Sequence, residues 1–226
     1  MRGIFEDELR RLTTKFTEME INTNEQIYHA TKSFLNHDRA LAQQVIADDD
    51  KINNQEVALE DEALNIIALQ HPFATDFRQV IVVLKASSEL ERIADHATGI
   101  AKEAIRIKGH QRNLAFEEQI GEMTNVIRTM LDVAIDALVK QDSKLTQEVL
   151  TAKQKIHDDF HKLREQLLVD MKENPKSVSG DTGYLLVANY MKRISEHIIN
   201  LVEWILYNKT GKITDLNHDD TELDEI

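Results

Sequence analysis

The chain contains no cysteine in its 226 residues, which rules out disulfides, thiolate metal sites and cysteine nucleophiles and suits a reducing compartment. Two prolines and seven glycines are too few for a sheet protein with many tight turns. No apolar run approaches the roughly 18 to 20 residues needed to span a bilayer, and no amino-terminal stretch joins a basic flank, an apolar run and a cleavage site. The expected location is therefore the cytoplasm. A phosphate-cradling loop is missing too, because Thr210-Gly211-Lys212 has neither the glycine run nor the preceding strand that such a loop requires. Basic charge is scarce: 27 Lys and Arg stand against 40 Asp and Glu, and the formal charge of −13 argues against gripping nucleic acid or anionic lipid. The acidity suits cations or a partner with a basic surface, or it serves only to keep helix faces solvated.

What is present reads as helix. Charged residues make up 30% and hydrophobic residues 42% of the chain, enough apolar content for one core or two modest ones. From Phe5 the residues Phe5, Leu9, Leu12, Phe16 and Met19 recur in a 4-3-4-3 rhythm that resumes after a slip at Ile27, Ala30 and Phe34, the seam of a first helix about 45 Å long. Asp38 is placed to cap a second helix with Leu41, Val45, Ile52, Leu59, Ala63 and Ile66 on one face, which stops near Pro72. A third helix runs from about Phe73 to Lys108 and ends at Gly109. The pattern then begins again. Met19, Ile27, Ala30, Phe34, Asp38, Leu41, Val45 and Ile52 return as Met123, Leu131, Ala134, Leu138, Asp142, Leu145, Val149 and Ile156, all offset by 104. After the turn at Asn174-Pro175 the offset becomes 101, so that Arg92, Ile93 and His96 match Arg193, Ile194 and His197. The expected fold is all-α: two tandem three-helix bundles, residues 1–110 and 111–213, docked on each other and followed by an acidic, mobile tail, 214–226.

Within the third helix, Glu91 and Asp95 lie one turn apart, and they project roughly 150 to 170° away from the seam formed by Leu90, Ile93, Ala97, Ile100, Ala104 and Ile107. Asp49 sits on the flank of the second helix, from which it can approach them. Three carboxylates from adjacent helices make a hard, oxygen-rich set suited to iron, manganese or magnesium. The alternative is ordinary solvated surface, with Arg78 or Arg92 as an ion-pair partner. His157 and His161, at i and i+4, superficially resemble a zinc-protease helix, but Asp158 stands where the catalytic glutamate belongs and no third ligand is identifiable. His96 and His197 recur beside the carboxylate positions and suit a helix-to-helix hydrogen bond as well as a metal. The ferritin-like step from Glu to a His three residues on is absent from both copies of the motif, which argues against a diiron oxidase. No acid-base-nucleophile set emerges, and nothing demands an enzyme.

The segment HPFATDFRQVIVVLKASSELERIADHATGIA, residues 71–101, resembles the signature of the PhoU family of phosphate-signalling regulators: a proline turn, an Asp-Leu-Arg, then Glu-Arg-Ile-Gly-Asp-His. LLVANYMKRISEHIINLVEWILYNKTGK, with Trp204, Tyr207 and Thr210-Gly211, is similar to the family's second signature. The resemblance covers residues 1–213. It implies a cytoplasmic negative regulator of phosphate uptake and of the phosphate-starvation response, one that binds the ATPase subunit of a phosphate ABC transporter and a two-component sensor kinase. Such a protein touches the membrane only through its partners, and homodimers are common. Some members hold iron or zinc clusters through the acidic motifs, at positions matched here by Asp49, Glu91 and Asp95. The second repeat departs from this, with Lys153, Lys192 and Glu196 at the equivalent places, so that iron, zinc or another divalent metal is expected at repeat one alone, if anywhere, and none is required. Competing readings are a carboxylate-bridged metal-binding protein or metalloenzyme, a structural helical tether, and an accessory protein of a low-affinity phosphate transporter.

Overall fold

Six long helices form because their apolar residues keep a helical period and little in the chain interrupts it. In the computed structural model they are α1 (Arg2–Leu35), α2 (Arg39–Gln70), α3 (Ala74–Arg106), α4 (Leu114–Lys140), α5 (Leu145–Glu173) and α6 (Val178–Thr210). The structure describes residues 2–140 and 145–217. Asp142, expected as the counterpart of Asp38, and tail residues 218–226 fall outside these, as does the Leu138 side chain. The breaks between helices have local causes. Asp38 caps α2 as expected, its Oδ1 accepting from Ala40 and Leu41 N–H at 3.0 and 3.1 Å. α2 ends because His71 turns left-handed (φ 47°) before Pro72. α6 ends at Gly211 (φ 70°), whose N–H bonds the Tyr207 carbonyl at 2.8 Å.

The helices assort as two three-helix bundles, α1–α3 and α4–α6, joined along α3 with α6 and α1 with α4. Among the described residues α2 and α5 do not meet, and they form the two outer flanks. The apolar seam of α1 is buried as expected at Leu12, Phe16, Met19, Ile27, Ala30 and Phe34. Its slip has a reason that the spacing did not show. Between Met19 and Ile27 the buried positions are taken by Glu20, Thr23, Asn24 and Gln26. Thr23 bonds the Met19 carbonyl at 3.0 Å, while the others reach toward α4 or α3.

α3 and α6 run antiparallel at close range. Ile107 meets Gly183, Tyr190 lies over Gly99, Glu89 bonds His197 and Asn200, and Arg78 reaches Gly211. Ala94, Ala97, Gly99 and Ala101 keep α3 thin enough for this approach, with Ser195, Ile198 and Ile199 among the buried residues of α6. A local two-fold axis relates the repeats, and residues equivalent by the repeat touch where it passes. The His96 and His197 rings face each other at 5.2 Å, and Arg128 Nε donates to Asn24 Oδ1 at 2.6 Å. A buried polar knot adds to the joint. Glu117 receives bonds from Arg112 Nε (3.0 Å), His37 Nε2 (3.2 Å) and the Tyr184 hydroxyl (2.9 Å), and Arg112 also reaches the Leu35 carbonyl at 2.7 Å. Burial alone would raise the Glu117 pKa, but these bonds outweigh it and hold the carboxylate below its ordinary value.

Two predictions follow from the joint. A Cβ on Gly183 would sit 2.3 Å from Ile107 Cγ2, whereas one on Gly121 finds its nearest neighbour, Leu35 Cδ1, at an ordinary 3.7 Å. Gly183→Ala should therefore destabilise the protein by about 1–3 kcal/mol and Gly121→Ala should stabilise it by about 0.5–1 kcal/mol in urea unfolding. Glu20, at 6% exposure in the α1–α4 seam, has its pKa raised to about 7, first by burial and then by the Asp132 carboxylate, with Asp136 adding and Asn24 opposing. The folded state then binds an extra proton between pH 4.5 and about 7, and this contribution to stability is lost as pH rises through that window. Glu20→Gln should raise stability by on the order of 1 kcal/mol at pH 8 and change it little at pH 5.

Candidate functional site

Asp49 on α2 is anchored toward the other two helices of its bundle. Its Oδ1 accepts from Thr98 Oγ1 at 2.9 Å and from Gln26 Nε2 at 3.1 Å, so α1 and α3 together set its position. On α3, Glu91 is half-buried and Asp95 exposed. The three carboxylates feel one another. Burial first, then Asp95, Glu56 and Asp49, push Glu91 above its ordinary pKa, while Arg92 opposes. Asp95 is raised by burial and then by Asp49, against Lys102 and Arg92. Arg92 thus opposes both shifts and Lys102 that of Asp95, whereas Arg78 lies away at the start of α3, near Thr75 and Gly211.

The part of each rise that comes from neighbouring carboxylates, after burial, also favours a metal cation, and oxygen donors of this kind suit a hard ion. The side chains are not gathered into a chelate, and among the described residues no three His, Asp or Glu side chains form a set able to hold an ion. Glu56 was missed in the sequence. Its signal was available, since it follows Asp49 by seven residues, two helical turns along the same face of α2. Gln26 and Thr98 could not have been found by spacing, because they reach Asp49 from other helices.

The equivalent place in repeat two is a groove of about 360 Å³ whose lining includes Lys153, His157, Lys192, Arg193 and Glu196. Glu196 pairs with Arg193 at 2.8 Å and with Lys192 at 3.7 Å, so Arg193 is the closer partner. The Lys192 ammonium also lies over the Phe160 ring, 5.6 Å from its centroid. Between the two places stand the histidines. His197 Nδ1 bonds Glu89 across the helices at 2.8 Å. His96 packs against the His197 and Tyr190 rings, and burial, followed by His197, Arg193 and Arg92, pushes its pKa down to about 4. His197 makes the helix-to-helix hydrogen bond that the spacing allowed, whereas a neutral His96 joins the helices by ring packing. The His157 and His161 rings lie 4.3 Å apart and tilted on α5, and among the described residues no group of three ligands able to hold a metal forms around them.

The PhoU domain model matches this chain twice, over residues 16–104 and 120–205, one match for each bundle. The chain belongs to the PhoU family. It is 30% identical to the phosphate-specific transport system accessory protein PhoU homolog of Clostridium acetobutylicum over 96% of this chain and 99% of that one. The homolog of the same name from Streptococcus pneumoniae serotype 4 is 29% identical over 96% of this chain and 100% of that one. Among solved structures, the phosphate transport system regulatory protein PhoU from Streptococcus pneumoniae superposes with a TM-score of 0.88 at 27% identity, covering 94% of this chain and all of that one. PhoU from Pseudomonas aeruginosa gives 0.86 at 26% identity over 92% of this chain. The PhoU architecture thus spans both bundles, and the charge difference between the repeats is laid on that common frame.

Metal analysis checks the contrast. Any metal that the purified protein takes up should be lost in Glu91→Ala with Asp95→Ala and kept in Glu196→Ala, because two cations already face that carboxylate. Equal loss from both changes would reverse the assignment.

Proposed function

We propose that this chain is a regulatory accessory protein of a phosphate-specific transport system, a negative regulator of phosphate uptake and of phosphate-starvation signalling that acts by binding other proteins. The observation that carries this reading is the double PhoU match, one to each bundle, together with relatives of almost the same length that bear the accessory-protein name. The proposed partners are the ATPase subunit of a phosphate ABC transporter and a two-component sensor kinase, both met in the cytoplasm, with a homodimer as the working assembly and no role for nucleic acid. Among the described residues no helix is long and apolar enough to cross a membrane, so contact with the membrane would come through the transporter. A surface carrying a net −13 is drawn to a basic patch on a partner, and such attraction speeds encounter and weakens with salt.

Repeat one would add a cation to this adaptor. Asp49, Glu91 and Asp95, with Glu56 beside them, are the residues that would hold iron, zinc or another divalent ion, supported by the neighbouring carboxylates that add to burial in raising Glu91 and Asp95. A bound ion would relieve that crowding and tie α2 to α3. No catalytic step is proposed.

Affinity capture from cells grown in high and in low phosphate tests the reading. The transporter ATPase or the kinase should be retained at low salt and lost as salt rises. If neither is retained, and deletion of the gene leaves phosphate uptake unchanged, the regulatory assignment fails.

A further inference from the structure

A cleft of about 260 Å³ opens between α1 and α2. The buried Val45 and Ile52 give it an apolar wall, and Glu25, Gln26, His29 and Asp48 give it polar groups. Repeat two has the same cleft between α4 and α5, about 400 Å³ in volume, and it supplies the comparison. At the offset of 104 the wall is kept, with Val149 for Val45, but Glu25, Gln26, His29 and Asp48 become Thr129, Met130, Val133 and Ala152. Three of the four polar positions turn apolar, so forming the cleft does not require them.

Two of these groups carry a buried atom that finds no hydrogen-bond partner among the described residues: Gln26 Oε1 and His29 Nδ1, one turn apart on α1. Gln26 is 6% exposed, and its amide cannot be turned round. The Thr98 hydroxyl gives its one hydrogen to Asp49 Oδ1, so toward Gln26 it can only accept, which it does from Nε2 at 2.8 Å. Nε2 also donates to Asp49 Oδ1 at 3.1 Å. With Nε2 held by α3 and Asp49, the planar amide directs Oε1 away from them, into the cleft that Gln26 lines. A buried acceptor left unpaired is costly, and a ligand with N–H groups removes that cost. Glu25 and Asp48 add exposed carboxylates, Asp48 taking one bond from Gln44 at 2.9 Å. The cleft's own cation, Lys51, is held by Asn22 Oδ1 at 2.8 Å.

We propose that the α1–α2 cleft receives an arginine side chain of a partner protein. The apolar wall takes the aliphatic stem, and the guanidinium donates to Gln26 Oε1 and to the Asp48 carboxylate. His29 Nδ1 accepts as well when the ring proton sits on Nε2. Separate acceptors favour a guanidinium, which spreads five N–H groups over a plane, above an ammonium, which is a compact point charge. The size fits one side chain, since small-molecule sites ordinarily run to roughly 300–1,000 Å³. Arginine anchored in a pocket is also a frequent centre of binding energy at protein interfaces, and a chain of net charge −13 draws basic partners. The adaptor reading above supplies only the source of the arginine; the acceptors of the cleft stand apart from it.

Magnetic resonance titration of the isotope-labelled full chain with N-acetyl-arginine-N-methylamide tests the cleft without any partner. Backbone amide signals of the cleft residues within 22–29 and 41–52 should shift saturably, with half-saturation at about 1–10 mM, while those of the α4–α5 cleft stay in place. Blocked citrulline, neutral and of nearly the same shape, should bind at least about tenfold more weakly. His29→Val with Asp48→Ala copies repeat two and leaves Gln26 intact; it should weaken blocked arginine at least about fivefold and lower partner retention in the affinity capture by a similar factor. No saturable shift, equal binding of citrulline, or equal shifts at both clefts would each overturn the proposal on the unaltered chain, even if the variant fails to fold. A preference of about tenfold for unblocked arginine would mark a site for the free amino acid and overturn the partner as its source, as would full retention of the partner by a folded variant. If the titration succeeds while the unaltered chain captures no partner, the adaptor reading fails and takes the partner source with it, and the arginine site remains.

Discussion

The structure depends on how closely α3 and α6 approach. Two long antiparallel helices meet at this distance only where one partner carries almost no side chain, and Gly99 beneath the Tyr190 ring and Gly183 beneath Ile107 supply that condition at two points along the contact. Packed interiors leave no slack, so a single methyl at either point must displace its neighbour. The contact puts α3 and α6 in the middle of the molecule, buries them on several sides, and leaves α2 and α5 as flanks with one apolar stripe each. Everything of chemical interest follows from this placement. The acids of α3 lie beside those of α2, the cations of α6 line the groove beside α5, and the two histidines meet between them.

A two-fold arrangement of unequal halves lets one fold carry two electrostatic environments. His197 engages Glu89, yet at the related position His96 meets Tyr190, which is the repeat counterpart of Glu89. Likewise Asn200, which holds Glu89, corresponds to Gly99, which makes room for Tyr190. One side of the axis is joined by charge and hydrogen bonds and the other by ring packing. The same divergence runs outward to the flanks, where Asp49 and Glu91 correspond to Lys153 and Lys192. For an adaptor of the proposed kind, this makes the two faces distinguishable to partners although the backbone is nearly repeated.

Much of this was legible from residue order. The near-heptad seam of α1, the cap at Asp38, the stop at Pro72 and the change of offset from 104 to 101 all act within a helix or across a short turn, where spacing and local chemistry decide the conformation. The acidic set was partly legible for the same reason: Glu91 and Asp95 share a turn. Residues 215–217, expected to begin a mobile tail, instead bond back to α6, because the carboxylate of Glu203 and the polar edge of Asn200 stand opposite them. No periodicity in the tail could announce that.

The amino-acid sequence by itself determined six helices, their ends, their duplication and the sign of charge at each repeat, since all of these depend on residues close together in the chain. Only the tertiary structure decided which helices meet and what each charged side chain finds there. Glu117 carries no mark in the sequence, yet His37, Arg112 and Tyr184 reach it from three parts of the chain. Asp49 was suspected for its carboxylate, but Gln26 and Thr98 fix its direction from neighbouring helices. The physical reason is the same in each case: hydrogen bonding, burial and pKa are set by atoms within a few Å in space, and in an antiparallel bundle those atoms lie tens of residues away in sequence.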